Sequence, residues 1–115
     1  MKQLLSISDI SYSVSGLDIL KTLSLEVAER HYFAIAGVNG AGKSTLIKLI
    51  LDLIRPLPGG SIHIFGLNNR ERHCRDQLAY LPEKFDVKKN ITGRQYLDFI
   101  AAVYHQKPNR SRYVE

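Results

Sequence analysis

Cysteine is almost absent from this 115-residue sequence, in which Cys74 is the only one. A single thiol cannot form an intrachain disulfide, so the chain has no disulfide framework and we expect it in a reducing compartment. Long apolar runs are lacking too. The most apolar stretch, residues 46–54, carries Lys48 and Asp52, which excludes a membrane span. Residues 1–14 lack the apolar core of a secretory signal. These absences predict a cytosolic protein.

The charge is positive but unevenly spread. Lys and Arg number 16 against 11 Asp and Glu, a net charge of +5. Residues 1–65 hold 6 basic and 5 acidic side chains, and residues 66–115 hold 10 and 6. The densest basic cluster, RERHCR at 70–75, contains no aromatic side chain that could stack on a base. The excess therefore predicts a solvated surface, and no nucleic-acid partner is expected.

Apolar and polar residues alternate over two stretches near the N-terminus. The alternation in residues 4–14 and 18–27, with a turn-like 15–18 between them, predicts an antiparallel pair of strands over 4–27. Residues 32–36, YFAIA, form a continuous apolar run, which is typical of a buried parallel strand.

The rest of the chain alternates between helix and strand signals. Helical spacing in LIKLILDLI (46–54) predicts a helix that ends at 55–56, and short strands are predicted over 61–65 and 78–81. Thr92 is expected to cap a last helix. The apolar side chains along one face of that helix are Tyr96, Leu97, Ile100, Val103 and Tyr104. The order indicates a mixed α/β domain that begins with antiparallel strands.

A glycine-rich loop lies between the predicted parallel strand and the helix after it. Its sequence, GVNGAGKST, matches G-x-x-x-x-G-K-[ST] in full. The loop residues are Gly37, Val38, Asn39, Gly40, Ala41, Gly42, Lys43, Ser44 and Thr45.

This composition suits a phosphate chain. Glycines let successive backbone N–H groups point inward, and the positive end of the following helix faces the same space. Lys43 can reach the outer phosphates as a point charge, and the Ser44 hydroxyl suits a Mg²⁺ ion that keeps its waters. The glycine spacing differs from the dinucleotide fingerprint. The motif therefore predicts nucleoside-triphosphate binding.

The loop in this setting resembles the Walker A loop of ABC-type ATPases, the nucleotide-binding subunits that power membrane transporters. DILKTLSLEV before the loop is similar to the end of that family's small β-subdomain. IRPLPGGSIHIFG resembles its turn, strand and glycine after the P-loop helix. LAYLPEKFDVKKNITGRQYLDFIAAVY resembles its Q-loop and the start of its helical subdomain. The resemblance extends over residues 4–105 in the family's order.

The resemblance implies an α/β fold: a P-loop NTPase, specifically an ABC-type nucleotide-binding domain. In it, an antiparallel β-subdomain leads into a parallel sheet, which is incomplete here. The expected divisions of this partial domain, 1–115, are an antiparallel β-subdomain at 4–30, a P-loop core at 31–82, and the Q-loop with the start of the helical subdomain at 83–115.

The resemblance also implies ATP and Mg²⁺ as ligands of the loop. Ser44 is the expected Mg²⁺ ligand, joined by Glu83, which stands where the family usually has the Q-loop Gln. Tyr12 is the candidate for stacking on adenine, because an aromatic face suits a purine. Spacing from the DILK segment would place Val14 at that position instead.

Two partners are implied by the same resemblance. One is a transmembrane permease subunit that contacts the region 83–104, and the other is a second nucleotide-binding subunit in a homo- or heterodimer. The chain is then expected to have no transmembrane segment of its own and to be peripheral on the cytoplasmic face of the membrane.

The chain departs from the family in its catalytic parts. The signature Leu-Ser-Gly-Gly-Gln, the Walker B aspartate with its glutamate, and the switch histidine find no match in it. Asp52 lies nine residues past Lys43, about 13 Å along a helix axis, so it is expected to point away from the phosphates into solvent. No catalytic residue is therefore predicted, and the chain alone is expected to bind ATP without turnover.

Other P-loop classes fit less of the chain. A small nucleotide kinase usually opens with its P-loop, whereas 36 residues precede this one. A GTPase would need Asn-Lys-x-Asp, for which KKNIT is the nearest stretch. A non-catalytic nucleotide-binding fragment remains an alternative to the ATPase subunit.

An unpartnered strand at 32–36 would expose an apolar edge, which predicts poor stability for the isolated chain.

Overall fold

The computed structural model describes residues 2–84 and 90–105. The chain divides into two compact units, residues 1–78 and 79–115. The elements of the first unit are β1 (Gln3–Val14), β2 (Leu17–Ala28), α1 (Lys43–Ile50), β3 (Ser61–Ile64), β4 (Leu67–Asn68) and a short 3₁₀ helix (Arg72–Arg75). The second unit contains α2 (Gly93–Val103).

The first two strands form the antiparallel hairpin that their alternation predicts. Val14 pairs with Leu17 across a two-residue turn. Ser15 and Gly16 in that turn have φ angles of 50° and 79°. Two successive positive φ angles give the turn whose twist matches that of the flanking strands. The prediction of an antiparallel pair over 4–27 is confirmed.

The strands of the first unit form one sheet in the order β2-β1-β3-β4. Every pairing within this sheet is antiparallel. Gly60 enters β3 so close to β1 that a Cβ atom on it would collide with the carbonyl oxygens of Ser8 and Asp9. The strand predicted over 61–65 is present as 61–64, because Phe65 turns the chain with a φ of 51°. Gly60 sets how closely this strand approaches β1.

The core lies where α1 packs on the sheet. Ile7 and Ile10 of β1, Ile62 of β3, and Leu46 and Leu49 of α1 are buried together. The half-buried residues around them are Leu5, Tyr12, Leu20, Leu23, Leu25, Ile50 and Ile54. Burial of one face of each element follows from their period-2 and helical patterns.

Helix α1 ends earlier than its apolar spacing predicts. The predicted end was at 55–56, whereas the helix stops at Ile50. Asp52 adopts a left-handed φ of 57°. The N–H of Leu53 then donates to the carbonyl of Lys48 at 2.9 Å, and that of Asp52 donates to Leu49 at 3.1 Å. This pair of bonds is the Schellman motif, which terminates the helix.

Two predicted strands are not formed. Residues 32–36 carry no strand pairing, and the apolar side chains of Tyr32, Phe33 and Ile35 are exposed. Residues 78–81 form no strand either, and Leu81 is exposed. A parallel strand is stable only between neighbours that pair with it and cover it. Within the described residues, neither apolar run has such a neighbour.

Helix α2 in the second unit has a well-formed start. The Thr92 side chain accepts from the N–H of Gln95, and the Gln95 side chain accepts from the N–H of Thr92. This capping box confirms Thr92 as the predicted cap. No side chain of α2 is buried. No helix within the described ranges is long and apolar enough to cross a membrane.

The three-part division into 4–30, 31–82 and 83–115 stays a prediction. The last part extends over residues 85–89 and 106–115, which lie outside the described residues. The region 83–104 expected to contact a permease also includes the first of these ranges.

Candidate phosphate-binding site

The loop between residues 37 and 43 depends on glycine at two positions. Gly40 has a φ of 85° and Gly42 a φ of 96°, both in the left-handed region that other residues rarely adopt. Between them the N–H of Ala41 donates to the carbonyl of Val38 at 3.1 Å, which closes a tight turn. The backbone therefore curls where the motif predicts that it should.

The start of α1 has no cap of its own. Gly42 is its N-cap and contributes no side-chain hydrogen bond, and the first turn contains no acidic residue. The first N–H groups of a helix have no partner within the helix, and its dipole favours an anion there. Helix α2 is the opposite case, because a capping box satisfies the N–H groups of Thr92 and Gln95 at its start. The start of α1 is thus open to an anionic ligand.

Lys43 lies across this loop. Its Nζ donates to the carbonyl of Val38 at 2.8 Å and also to that of Gly37. A Cβ atom on Gly37 would lie 3.2 Å from the Cβ of Ala41 and 3.8 Å from the Nζ of Lys43. The ammonium group is therefore held over the loop by neutral carbonyl acceptors, from which a phosphate oxygen can draw it as a stronger, charge-assisted acceptor.

Strand β2 supports the loop from one side. A Cβ atom on Gly42 would lie 3.0 Å from the Leu20 side chain and 3.3 Å from the Ile19 carbonyl oxygen. The strand register explains this approach: Tyr12 pairs with Leu20 and Ser13 with Asp18, which leaves Ile19 as an extra residue. Such a bulge bends a strand locally. Sequence reasoning missed Ile19 and Leu20, because a bulge leaves no trace in an alternating pattern.

The two candidates for contact with a base differ in burial. Tyr12 is half-buried and packs against the core cluster. Val14, two residues on, is 48% exposed. The stacking role of Tyr12 stays a prediction.

The metal-ligand candidates belong to different units of the chain. Ser44 is the second residue of α1 and is exposed. Glu83 is exposed as well but belongs to the second unit, so its role as a Mg²⁺ ligand stays a prediction. The described part of the chain contains no group of three His, Cys, Asp or Glu side chains placed to hold a metal ion.

Asp52 lies at the far end of α1 from the loop. Its carboxylate is 3.4 Å from Nε of Arg55 and its side chain is only 15% exposed. The expectation that it points into solvent is therefore wrong, because the Schellman turn folds this residue back toward the body of the unit.

A second residue that sequence reasoning missed lies beside that turn. Asn69 is buried, and its Nδ2 donates to the carbonyls of Leu49 at 2.8 Å and Ile50 at 3.3 Å. Its own carbonyl accepts from Cys74 Sγ and from Arg75. Burial raises the pKa of the Cys74 thiol, although the Arg75 guanidinium acts in the opposite direction. Asn69, with Cys74 and Arg75, thus anchors the end of α1, and the glycine-rich loop precedes the start of the same helix.

The fold and the loop together define part of a P-loop NTPase domain. A solved structure titled as the ATP-binding subunit of an ABC transporter superposes with a TM-score of 0.79 at 32% identity. The superposition covers 90% of this chain and 44% of the solved one. The family model for ABC transporter matches residues 20–113. The chain belongs to the ABC transporter family.

Curated relatives agree with this assignment. An uncharacterized ABC transporter ATP-binding protein of Nostoc sp. is 38% identical over 85 residues, which make up 74% of this chain and 25% of the relative. The zinc import ATP-binding protein ZnuC of Psychrobacter arcticus is 35% identical over 85 residues, 74% of this chain and 31% of the relative. The chain thus spans between a quarter and a third of the length of these two proteins.

Proposed function

We propose that this chain binds Mg-ATP through the loop 37–45. The observation that carries the proposal is the uncapped start of α1, where the Lys43 ammonium group donates to the backbone carbonyls of Gly37 and Val38. An anion at this point gains unpaired N–H donors, the helix dipole and one ammonium group together. Membership of the ABC transporter family and the names of its relatives support ATP as the nucleotide.

Each part of the loop has a separate role in this proposal. The backbone of Val38, Asn39 and Ala41, with that of Gly37, Gly40 and Gly42, surrounds the phosphates. Lys43 leaves the carbonyls of Gly37 and Val38 and pairs with the outer phosphate oxygens.

The helix start would take the metal. Ser44 supplies a hydroxyl to Mg²⁺ and Thr45 completes the first turn. A Mg²⁺ ion held there would offset part of the negative charge of the phosphates. Glu83 is a further candidate ligand for the ion.

The wider role follows from the family and not from this chain alone. We propose that the protein is, or is part of, an ATP-binding subunit that works with a transmembrane permease on the cytoplasmic face of a membrane. A second nucleotide-binding subunit would face the loop. One relative is named for zinc import.

No hydrolytic step is assigned to the described residues. Activation of water needs a positioned base. Asp52, the acidic residue at the end of the P-loop helix, is paired with Arg55 at the end away from the loop. The proposal is therefore one of nucleotide binding.

Calorimetric titration with Mg-ATP tests the proposal. Lys43→Ala should weaken binding about ten-fold or more, the usual effect of losing a charged hydrogen-bonding partner. Lys48→Ala is the matched control, since Lys48 is an exposed lysine in the last turn of the same helix, and it should leave the affinity unchanged. Removal of Mg²⁺ with EDTA should weaken binding to the wild type but change little in Ser44→Ala. Equal affinities in wild type and Lys43→Ala would refute the proposal.

A further inference from the structure

Residues 31–41, between β2 and α1, are all exposed. The apolar part of this stretch is 32–36, YFAIA, in which Tyr32 is fully exposed, Phe33 is 56% exposed and Ile35 is 42% exposed. Among the described residues, no hydrogen bond uses a backbone N–H or C=O group of residues 32–36. The segment therefore presents apolar side chains and unpaired backbone groups together, which is the combination that another strand can pair with.

The backbone of this segment can extend without strain. Arg30 has a φ of 61° and Gly40 a φ of 85°, but no residue between them has a positive φ. Tyr, Phe and Ile are among the residues that favour strands. Residues 32–36 thus have the side chains and the backbone angles of a strand and lack only a neighbouring strand.

The segment is complementary to a second copy of itself. In an antiparallel pair of copies centred on Ala34, Tyr32 lies opposite Ala36 of the second copy, and Phe33 lies opposite Ile35 of the second copy. The aromatic–aliphatic pair of Phe33 with Ile35 occurs twice, and such cross-strand pairs stabilise a sheet. This register is the one in which all five apolar residues of each copy face apolar residues of the other.

The charges beside the segment do not oppose this pairing. The nearest charged side chains on its N-terminal side are Arg30 and Glu29. In the same register Arg30 lies opposite Val38 of the second copy, and Glu29 lies opposite Asn39. Like charges directly opposite one another would destabilise the pair, and this register places none there.

We infer that two copies of this chain associate by antiparallel pairing of residues 32–36 about a two-fold axis at Ala34. The contact uses the same surface of both copies, so it closes at the dimer. It forms about four to six inter-strand hydrogen bonds. Five residues a side is far fewer than the roughly 20–30 of a standard interface, so the dimer is weak and depends on concentration. It is separate from the partner proposed to face the loop, because it does not use residues 37–45.

Sedimentation equilibrium tests the inference through the charge at residue 34. The wild type should change from monomer to dimer between about 10 µM and 1 mM. Ala34→Lys places two ammonium groups opposite each other and Ala34→Glu two carboxylates, so each should weaken association about five-fold or more. An equimolar mixture of the two variants should restore association, because Lys then faces Glu. Ala34 is exposed, so neither change should unfold the chain.

A matched control and a cross-linking experiment complete the test. Leu53→Lys adds a charge at a side chain that is 65% exposed but lies outside the segment, and it should associate like the wild type. Antiparallel pairing also places residue 33 of one copy opposite residue 35 of the other. A mixture of Phe33→Cys and Ile35→Cys should therefore oxidise mainly to the mixed disulfide, while Cys74 stays buried.

Four results would overturn the inference. They are a wild type that stays monomeric throughout the titration, equal association of wild type and Ala34→Lys, an excess of the two homodisulfides, and growth beyond the dimer into open assemblies. An excess of homodisulfides would mean that the copies pair in parallel. None of these measurements involves a nucleotide, so failure of the inference would leave the proposed function unaffected.

Discussion

The side-chain amide of Asn69 donates to the backbone carbonyl of Leu49 at 2.8 Å, although the two residues are 20 positions apart in the chain. This bond joins the end of α1 to the segment that follows β4. The helix that begins at the glycine-rich loop is thus held at its end by a buried amide, in addition to its Schellman turn.

Loss of that amide should destabilise the first unit. Asn69→Ala leaves the carbonyls of Leu49 and Ile50 without their buried donor, which costs about 1–3 kcal/mol. Asn68→Ala is the control, because the Asn68 side chain accepts from the exposed N–H of Arg70, and it should cost about 0.5 kcal/mol or less. Urea unfolding followed by circular dichroism measures both. Equal midpoints for the two variants would contradict the anchoring role of Asn69.

A methyl group at residue 60 should destabilise the first unit, because β3 lies very close to β1 at this point. Gly60→Ala places a Cβ atom against the carbonyl oxygens of Ser8 and Asp9, and we expect a loss of about 1–3 kcal/mol from overpacking. Gly93→Ala is the matched control at the first position of α2, where a Cβ atom meets nothing within 4 Å. It should be neutral or stabilising by up to about 1 kcal/mol. Thermal melts that shift equally for both would show that β3 has room to move.

A substitution of Phe33 tests whether residues 32–36 are exposed, as the structure has them, or form the buried strand that the sequence predicts. The side chain is 56% exposed, so Phe33→Ser should change the free energy of unfolding by about 0.5 kcal/mol or less. It should also reduce aggregation, because it removes an apolar side chain from an exposed strand-like segment. Leu49→Ala, in the buried core, should cost about 2–5 kcal/mol. A comparably large loss in Phe33→Ser would mean that residues 32–36 are buried after all.

The features that were predicted correctly are those that depend on residues close together in the sequence. The hairpin over 4–27 and the capping box at Thr92 depend on residues close in the chain, as does the curl of the loop at Gly40 and Gly42. The strands at 32–36 and 78–81 were predicted wrongly because an apolar run records only that a segment is suited to burial. Whether it pairs depends on neighbours far away in the sequence.

The candidate site was only partly predicted. The motif identified the loop residues, but nothing in the sequence pattern identified the residues that hold the loop and its helix in place. Asn69 acts across 20 residues, and Ile19 acts through a bulge that only the strand register makes visible. The helix was predicted too long because a left-handed Asp52 is compatible with an uninterrupted apolar spacing.

The buried thiol gives a probe of the first unit. Cys74 is 0% exposed and burial raises the pKa of its thiol, so an aromatic disulfide reagent should label it far more slowly in buffer than in urea. Because the pKa of this thiol is higher in the folded chain, the thiol of the unfolded chain ionises at a lower pH. The free energy of unfolding should therefore fall as the pH rises past the ordinary thiol pKa, and at lower pH this group should not affect it. Labelling in buffer at the rate of the unfolded chain would contradict the burial.

Helices α1 and α2 begin differently: the start of α1 is open, whereas the start of α2 is capped. We would record ¹H–¹⁵N spectra of the uniformly labelled chain during a titration with Mg-ATP. The backbone amides of residues 37–45 should shift and saturate, whereas those of residues 93–95, where Thr92 and Gln95 cap the helix, should not move. Loop amides that stay in place up to millimolar Mg-ATP, or equal shifts at both helix starts, would contradict the assignment of the loop as the nucleotide site.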